Sequence, residues 1–436
     1  MAGAGRIVAA AAGCLVMSLA CAWVVAIMSL DPLARQQLFA GRADAAINAW
    51  SAYGDARAVF RQVFASTDVA AERDKRVGLD EPPDGALVPV PGRAHAPKSW
   101  GIDRINQFAL PLDGRYAPAF EGSGVHVFVL DTGVLASHAE FEDRIGVGAN
   151  CVDRAGCDAA LPTTDRQGHG THVACTVASD DYGVAHRVTI HPVKVLDDSG
   201  QGGVMSVVNG LRWVALAVQA SALHGRSVAV LSLGAPRDEF LNRAAEALVE
   251  SGVPVVVAAG NNAADACDFS PASARGVITV GATDARDRLP AFSNFGGCVD
   301  LLAPGAAISS CDIAHMTAAV SKSGTSMAAP HVAGVVAQIL QRAIQRNERL
   351  TPAQVREQLL AQATAGAAQL GPGQGGTVRL ILAVPGAAEG DPSSSAATVM
   401  VLVALGCGMC ALLARRGGAA RKWGVTGMFD GGGAMV

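Results

Sequence analysis

Charge is scarce in this 436-residue chain and neither sign prevails: charged residues make up 17%, with 34 Lys and Arg against 38 Asp and Glu, for a net charge of −4. The two signs are scattered nearly evenly, so there is no basic face of the kind nucleic acid requires, and nucleic-acid binding is set aside. Aromatic residues are thin at 5%, although half of the chain is hydrophobic. The apolar content is carried largely by Ala and Val. The length suffices for one large domain with flanking segments. Charge is missing altogether from 7–30, behind Arg6 alone, and from 398–414, ahead of Arg415, Arg416, Arg421 and Lys422. Apolar stretches of this length are read as bilayer-spanning. The first is either a signal anchor or a signal peptide whose small-x-small site, Ser18-Leu19-Ala20, is a poor one. With the basic residues outside both stretches, both chain ends fall in the cytoplasm and everything between lies outside it.

Residues 31–97 are a different kind of sequence from residues 98 onward. Leu38, Ala45, Ala49, Val59, Val63 and Phe64 recur at loose helical spacing, and Pro82, Pro83, Pro89, Pro91 and Pro97 then break any regular element. Beyond them, Val-rich runs at 125–130, 189–196, 227–233, 253–259 and 277–280 predict strands buried on both faces. Helices are predicted at 205–222, 243–251 and 351–360. The alternation predicts an α/β domain with a mostly parallel central sheet, whose ligands sit at the carboxyl ends of the strands. After it a Gly-, Pro-, Ser- and Ala-rich linker leads to 398–414. The expected organisation is therefore 1–30 signal anchor or signal peptide, 31–97 intervening segment, 98–380 α/β domain, 381–397 linker, 398–414 transmembrane helix and 415–436 cytoplasmic tail.

The chemistry is concentrated in residues 323–334, Ser-Gly-Thr-Ser-Met-Ala-Ala-Pro-His-Val-Ala-Gly. Ser326 falls in a first helical turn, where unpaired N–H groups and the helix dipole favour negative charge. A hydroxyl needs a base, and a base needs an orienting group. His169 lies between Gly168 and Gly170 at the start of an apolar helical run, and Asp131 ends the strand predicted at 125–130. Singly, each is a turn former, a loop residue or a helix cap. In the order Asp, His, Ser, with Asn261 following Ala258-Ala259-Gly260, they act as one signature.

On these motifs the chain resembles the subtilisin-like serine proteases and is most similar to their proteinase K branch, over about residues 98–365. The resemblance implies a subtilisin-like three-layer fold, with Asp131 orienting, His169 as general base and Ser326 as nucleophile. Asn261 and the Ser326 backbone N–H would form the oxyanion hole. A polypeptide substrate would pair as a strand with Gly200-Gln201-Gly202 and Ser232-Leu233-Gly234. The pocket for the residue before the scissile bond would be lined by Leu233, Gly234, Ala235, Ala258, Ala259 and Gly260. These are small and uncharged, so apolar or aromatic residues are expected there, with Asp238 and Glu239 the acids placed to upset this.

The resemblance further implies structural calcium, held by the Asp300 carboxylate and the carbonyls of Arg275 and Val277. It implies a Cys267–Cys298 disulfide, while Cys151 and Cys157 are close enough to bridge locally; free buried thiols are the other reading. Cys175 stands where relatives have Gly, two helical turns from His169, and is expected as a core thiol. Relatives carry an inhibitory pro-segment ahead of this domain, so 31–97 is either a divergent pro-segment, cut near 96–99, or a helical stalk. Two functions are compatible with all this: a membrane-anchored serine endopeptidase working outside the cytoplasm, or a catalytically silent binding or regulatory protein on the same scaffold.

Overall fold

The computed structural model describes residues 75–79, 98–152, 156–371, 374–378 and 380–383. The apolar segments 1–30 and 398–414, the tail 415–436, most of the linker and nearly all of 31–97 lie outside them. Among the described residues no helix is long and apolar enough to cross a membrane.

In chain order the strands are β1 (Arg76–Gly78), β2 (His126–Asp131), β3 (Ala149–Asn150), β4 (Thr189–Lys194), β5 (Gln201–Gly203), β6 (Ser227–Leu231), β7 (Ala235–Pro236), β8 (Val255–Ala258), β9 (Phe269–Ser270), β10 (Ile278–Thr283), β11 (Leu301–Pro304), β12 (Ile308–Cys311), β13 (Ala319–Lys322), β14 (Thr364–Ala365) and β15 (Leu380–Ile381). The helices are α1 (Trp100–Ile105), α2 (His169–Ala178), α3 (Val204–Ala220), α4 (Glu239–Glu250), α5 (Thr325–Gln345) and α6 (Pro352–Gln362).

A nine-stranded sheet runs in the order β14-β15-β11-β10-β8-β6-β2-β4-β3. Its pairings are parallel apart from β14 with β15. From β2 the chain moves to β3 and β4 on one side, then crosses to β6, β8, β10 and β11 on the other. The strand order thus reverses beside β2, which opens a crevice at the carboxyl ends of β2 and β6.

The side-chain period of a strand builds the two outer layers. Val127 and Val129 pack with α2 and α5, against Val173, Val332 and Val336. Phe128 and Leu130 point the other way, to α3 and α4 and to Val207, Leu211 and Leu241. Every residue of β6 and β8 is buried. A strand covered on both faces favours apolar side chains at every position, which is why these runs read as Val-rich; the one polar residue, Ser227, satisfies its hydroxyl on the Leu223 carbonyl. Each buried Val or Leu among them contributes about 1.5–3 kcal/mol relative to exposure. Helix α4 begins at Glu239, ahead of its expected start at 243, because the Asp238 side chain caps it by accepting from the Phe240 and Leu241 N–H groups at 3.0 Å.

β1 stands outside the sheet. It pairs antiparallel with β5, Arg76 opposite Gly203, Val77 opposite Gly202 and Gly78 opposite Gln201. On its other side Gly78 exchanges hydrogen bonds with Gly234, at 3.2 and 3.3 Å.

Three disulfides cross-link the domain: Cys151–Cys157, Cys267–Cys298 and Cys175–Cys311. The first two are the expected pairs. The third corrects the expectation of a free thiol at Cys175: its partner Cys311 ends β12, which packs against α2.

Candidate active site

Asp131 ends β2 and His169 opens α2, so both face the crevice, and both side chains are fully buried. His169 Nδ1 lies 2.8 and 3.0 Å from the two Asp131 carboxylate oxygens. The Thr132 N–H donates to the nearer of those oxygens at 2.7 Å. Gly170 makes this approach feasible: a Cβ there would lie 2.1 Å from the Gly133 carbonyl oxygen and 3.1 Å from Asp131 Oδ1.

A second carboxylate that the motif reading missed holds the first two in place. Asp165, 2% exposed, accepts five hydrogen bonds: Oδ1 from Thr132 Oγ1, Gln167 N–H and Gly168 N–H, Oδ2 from Thr171 N–H and Oγ1, all between 2.7 and 3.0 Å. It ties the loop after Asp131 to the first turn of α2. The signal was an acid just ahead of a helix start, where orphan N–H groups need an acceptor. Lys194, 7% exposed, donates to the Thr132 carbonyl and to Asp198 Oδ1, supporting the same loop from β4.

Ser326 sits in the first turn of α5. Pro330 lies inside this helix and lacks the N–H that would bond the Ser326 carbonyl. Ser232 Oγ donates to that carbonyl instead, at 2.9 Å, and Ser326 Oγ donates back to the Ser232 carbonyl at 3.2 Å. The vacated helix bond thus fastens the serine to the segment after β6. His169 Nε2 has no hydrogen-bond partner among the described residues, so the structure brings Ser326 to the site without a bond to His169.

Asn261 comes shortly after β8. Its Oδ1 accepts from the Thr325 N–H and Oγ1 at 2.8 and 3.0 Å, which turns the NH2 end toward Gly324. Thr325 Oγ1 also accepts from the Gly260 N–H at 3.1 Å, so one side chain joins the Asn261 loop to the serine helix.

A pocket beside Ser326 is lined by five of the six expected residues, Leu233, Gly234, Ala258, Ala259 and Gly260; Ala235 does not line it, being paired in β7 with Ser270, and Phe269, Ser270 and Ala272, which the motifs did not indicate, do. The edges 200–202 and 232–234 flank β1 through the pairings already given. Asp238 and Glu239 do not line this pocket. Asp238 pairs with Lys75 and Glu239 with Arg237, each at 2.9 Å.

The donor set expected for calcium meets a different cation. Asp300 Oδ2 accepts from the Thr279 N–H at 2.8 Å, and Oδ1 accepts from the Arg356 guanidinium. A calcium ion bound through Oδ1 would have to displace the partly exposed Arg356 guanidinium, which holds that oxygen in this structure. Accordingly, chelator is expected to leave the melting temperature unchanged through this site. Arg356→Gln is expected to cost at most about 1 kcal/mol, the pair being partly exposed, and to make the melting temperature rise on adding calcium; an unresponsive variant would exclude Asp300 as a calcium ligand altogether. Elsewhere His138 groups with Cys175 and Cys311 in a buried cluster. Both sulfurs are bonded to each other, and the ring nitrogens of His138 meet the Glu140 N–H and the Ala318 carbonyl. This grouping has nothing left for a metal.

The remaining buried histidines act as neutral packing groups. Burial pushes His172 down to about 3, with Lys322 adding to the effect, and pushes His331 down to about 4. Each ring is held at a backbone carbonyl, Ile308 for His172 and Met327 for His331.

A family model described as the subtilase family matches residues 122–379. An extracellular serine proteinase of Thermus sp. (strain Rt41A) is 46% identical over 270 residues, covering 62% of each chain. An alkaline serine exoprotease A of Vibrio alginolyticus is 45% identical over 269 residues, 61% of this chain and 47% of its own. The chain thus spans about three fifths and about half of the lengths of these relatives. A crystal structure of a cold-adapted subtilisin-like serine proteinase superposes with a TM-score of 0.60 at 42% identity, covering 67% of this chain and 99% of that one. The described domain is a subtilisin-like α/β fold, and the chain belongs to the subtilase family.

Proposed function

We propose that this protein is a serine endopeptidase. The observation that carries the reading is the buried Asp131–His169 pair, set in the same crevice as a serine fastened to the substrate edge by Ser232. In this reading Asp131 fixes the imidazole with its proton on Nδ1, which leaves Nε2 as the base. A turn about the Ser326 side-chain torsion exchanges the Ser232 carbonyl for Nε2. The hydroxyl then attacks the scissile carbonyl as its proton passes to Nε2. Asn261 Nδ2 and the Ser326 N–H receive the oxyanion, the imidazolium returns the proton to the leaving amine, and water repeats the sequence on the acyl-enzyme.

The apolar pocket favours apolar or aromatic residues before the scissile bond, because a buried, unpaired Lys or Arg there would carry a desolvation penalty. β1 lies between the two edges as a peptide would, which favours the pro-segment reading of 31–97 over a stalk. In this reading the segment competes with substrate for the cleft. The apolar segments at either end would anchor the chain with this domain outside the cytoplasm, the disulfides suiting an oxidising compartment.

The test is labelling of the full chain with a fluorophosphonate. Wild type is expected to label, Ser326→Ala not to label, and Val77→Asp, which weakens the seating of β1, to label faster. Wild type and Val77→Asp both failing to label would favour the catalytically silent scaffold instead.

A further inference from the structure

β1 reads the cleft farther from the serine than the motifs do. Facing residues of an antiparallel pair sum to a constant, and Gly78 with Gly234 sets it. The place facing Ser232, whose carbonyl is 3.2 Å from Ser326 Oγ, is therefore two residues beyond Gly78. A peptide bound as β1 is bound has its attacked carbonyl there. The place of Gly78 is then the third before the scissile bond, that of Val77 the fourth and that of Lys75 the sixth.

At this sixth place a cation is met by a partly buried acid. Lys75 Nζ lies 2.9 Å from Asp238 Oδ2, the Asp238 side chain being 10% exposed. The two oxygens of Asp238 divide their work: Oδ1 takes the α4 cap from Phe240 and Leu241, and Oδ2 is left for the cation. The neighbouring Arg237 is engaged by Glu239 and does not neutralise Asp238. Burial pushes the Asp238 carboxyl up, but the Leu241 N–H and Lys75 outweigh it and hold the group below the ordinary carboxylate range. The backbone between is anchored as well, with the Val204 N–H donating to the Lys75 carbonyl at 2.9 Å and Val77 fully buried.

We propose that Asp238 is a specificity-determining residue, forming a subsite for a Lys or Arg at the sixth position before the scissile bond of an extended polypeptide. Lys75 fills this subsite from within the chain. The proposal rests on the peptidase reading, and it adds a basic preference remote from an apolar one. A substrate with a cation six residues ahead of an apolar residue at the cut would satisfy both.

The test compares two fluorogenic peptides identical except for Lys or Gln at that position, hydrolysed by the full chain. Competition by β1 lowers both rates equally, so the ratio of kcat/KM values is unaffected by it. Wild type is expected to favour the Lys peptide about three- to fivefold, chiefly through KM, with the ratio shrinking as salt is raised. In Asp238→Asn and Asp238→Ser, which both retain a capping oxygen, the ratio is expected to fall to about one. Equal rates in wild type, or a Lys preference that survives both substitutions, would overturn the proposal. Hydrolysis of neither peptide by a chain that labels at Ser326 would overturn it too, whereas a chain that does not label at Ser326 would take the peptidase reading down with it.

Discussion

Asp131→Asn is expected to lower kcat about 10⁴-fold with little change in melting temperature. The carboxylate accepts from the Thr132 N–H on the same oxygen that lies 2.8 Å from His169 Nδ1, and its second oxygen is 3.0 Å from that nitrogen. An Asn of the same shape keeps its carbonyl oxygen on the Thr132 N–H and turns its NH2 toward Nδ1. Nδ1 must then accept, which puts the ring proton on Nε2 and removes the lone pair that would take the Ser326 proton. Packing is unaltered, and the Asp165 network around Thr132 and Thr171 still holds the loop and the helix together. Steady-state kinetics on a peptide substrate together with calorimetry check this. A loss of less than tenfold would mean that Asp131 does not set the tautomer of His169.

The parts of this domain that could be read from sequence were those whose signal is local. Strands β2, β4, β6, β8 and β10 lie within or close to the Val-rich runs, since burial on both faces leaves a continuous apolar imprint. Asp131, His169, Asn261 and Ser326 stood at strand ends and helix starts because the parallel topology gathers those ends. What was illegible depended on distant partners. β11 and β15 extend the sheet beyond β10 but, at four and two residues, are too short to declare themselves. Arg76-Val77-Gly78 reads as loop, and becomes a strand only because edges more than 100 residues later receive it. Cys311 could not be assigned to Cys175, because a pairing across a separation of 136 residues leaves no trace in spacing. The Asp300–Arg356 pair was illegible for the same reason, because Arg356 is far away in sequence, on α6, and meets the carboxylate only in the fold.

The largest stability effect is expected from that unforeseen bridge. Replacing Cys175 and Cys311 together by Ala should lower the free energy of unfolding by about 3–5 kcal/mol, with a fall in melting temperature of roughly 10 °C. The cross-link closes a separation of 136 residues, against 31 for Cys267–Cys298 and 6 for Cys151–Cys157. In the chain-entropy account the three removals should rank in that order, with the shortest loop worth about 2 kcal/mol. Ala is the right replacement, since both sulfurs are fully buried and a Ser hydroxyl in this core would add an unsatisfied polar group. The bridge also joins the helix that carries His169 to β12, whose partner β13 leads directly into Gly324, Thr325 and Ser326. Activity well below the transition should nevertheless fall much less than stability, because Asp131 and Asp165 orient His169 independently of the sulfurs. Urea unfolding of the three double-Ala variants measures the ranking. If loss of Cys175–Cys311 costs no more than loss of Cys151–Cys157, loop length does not govern the stability of this domain.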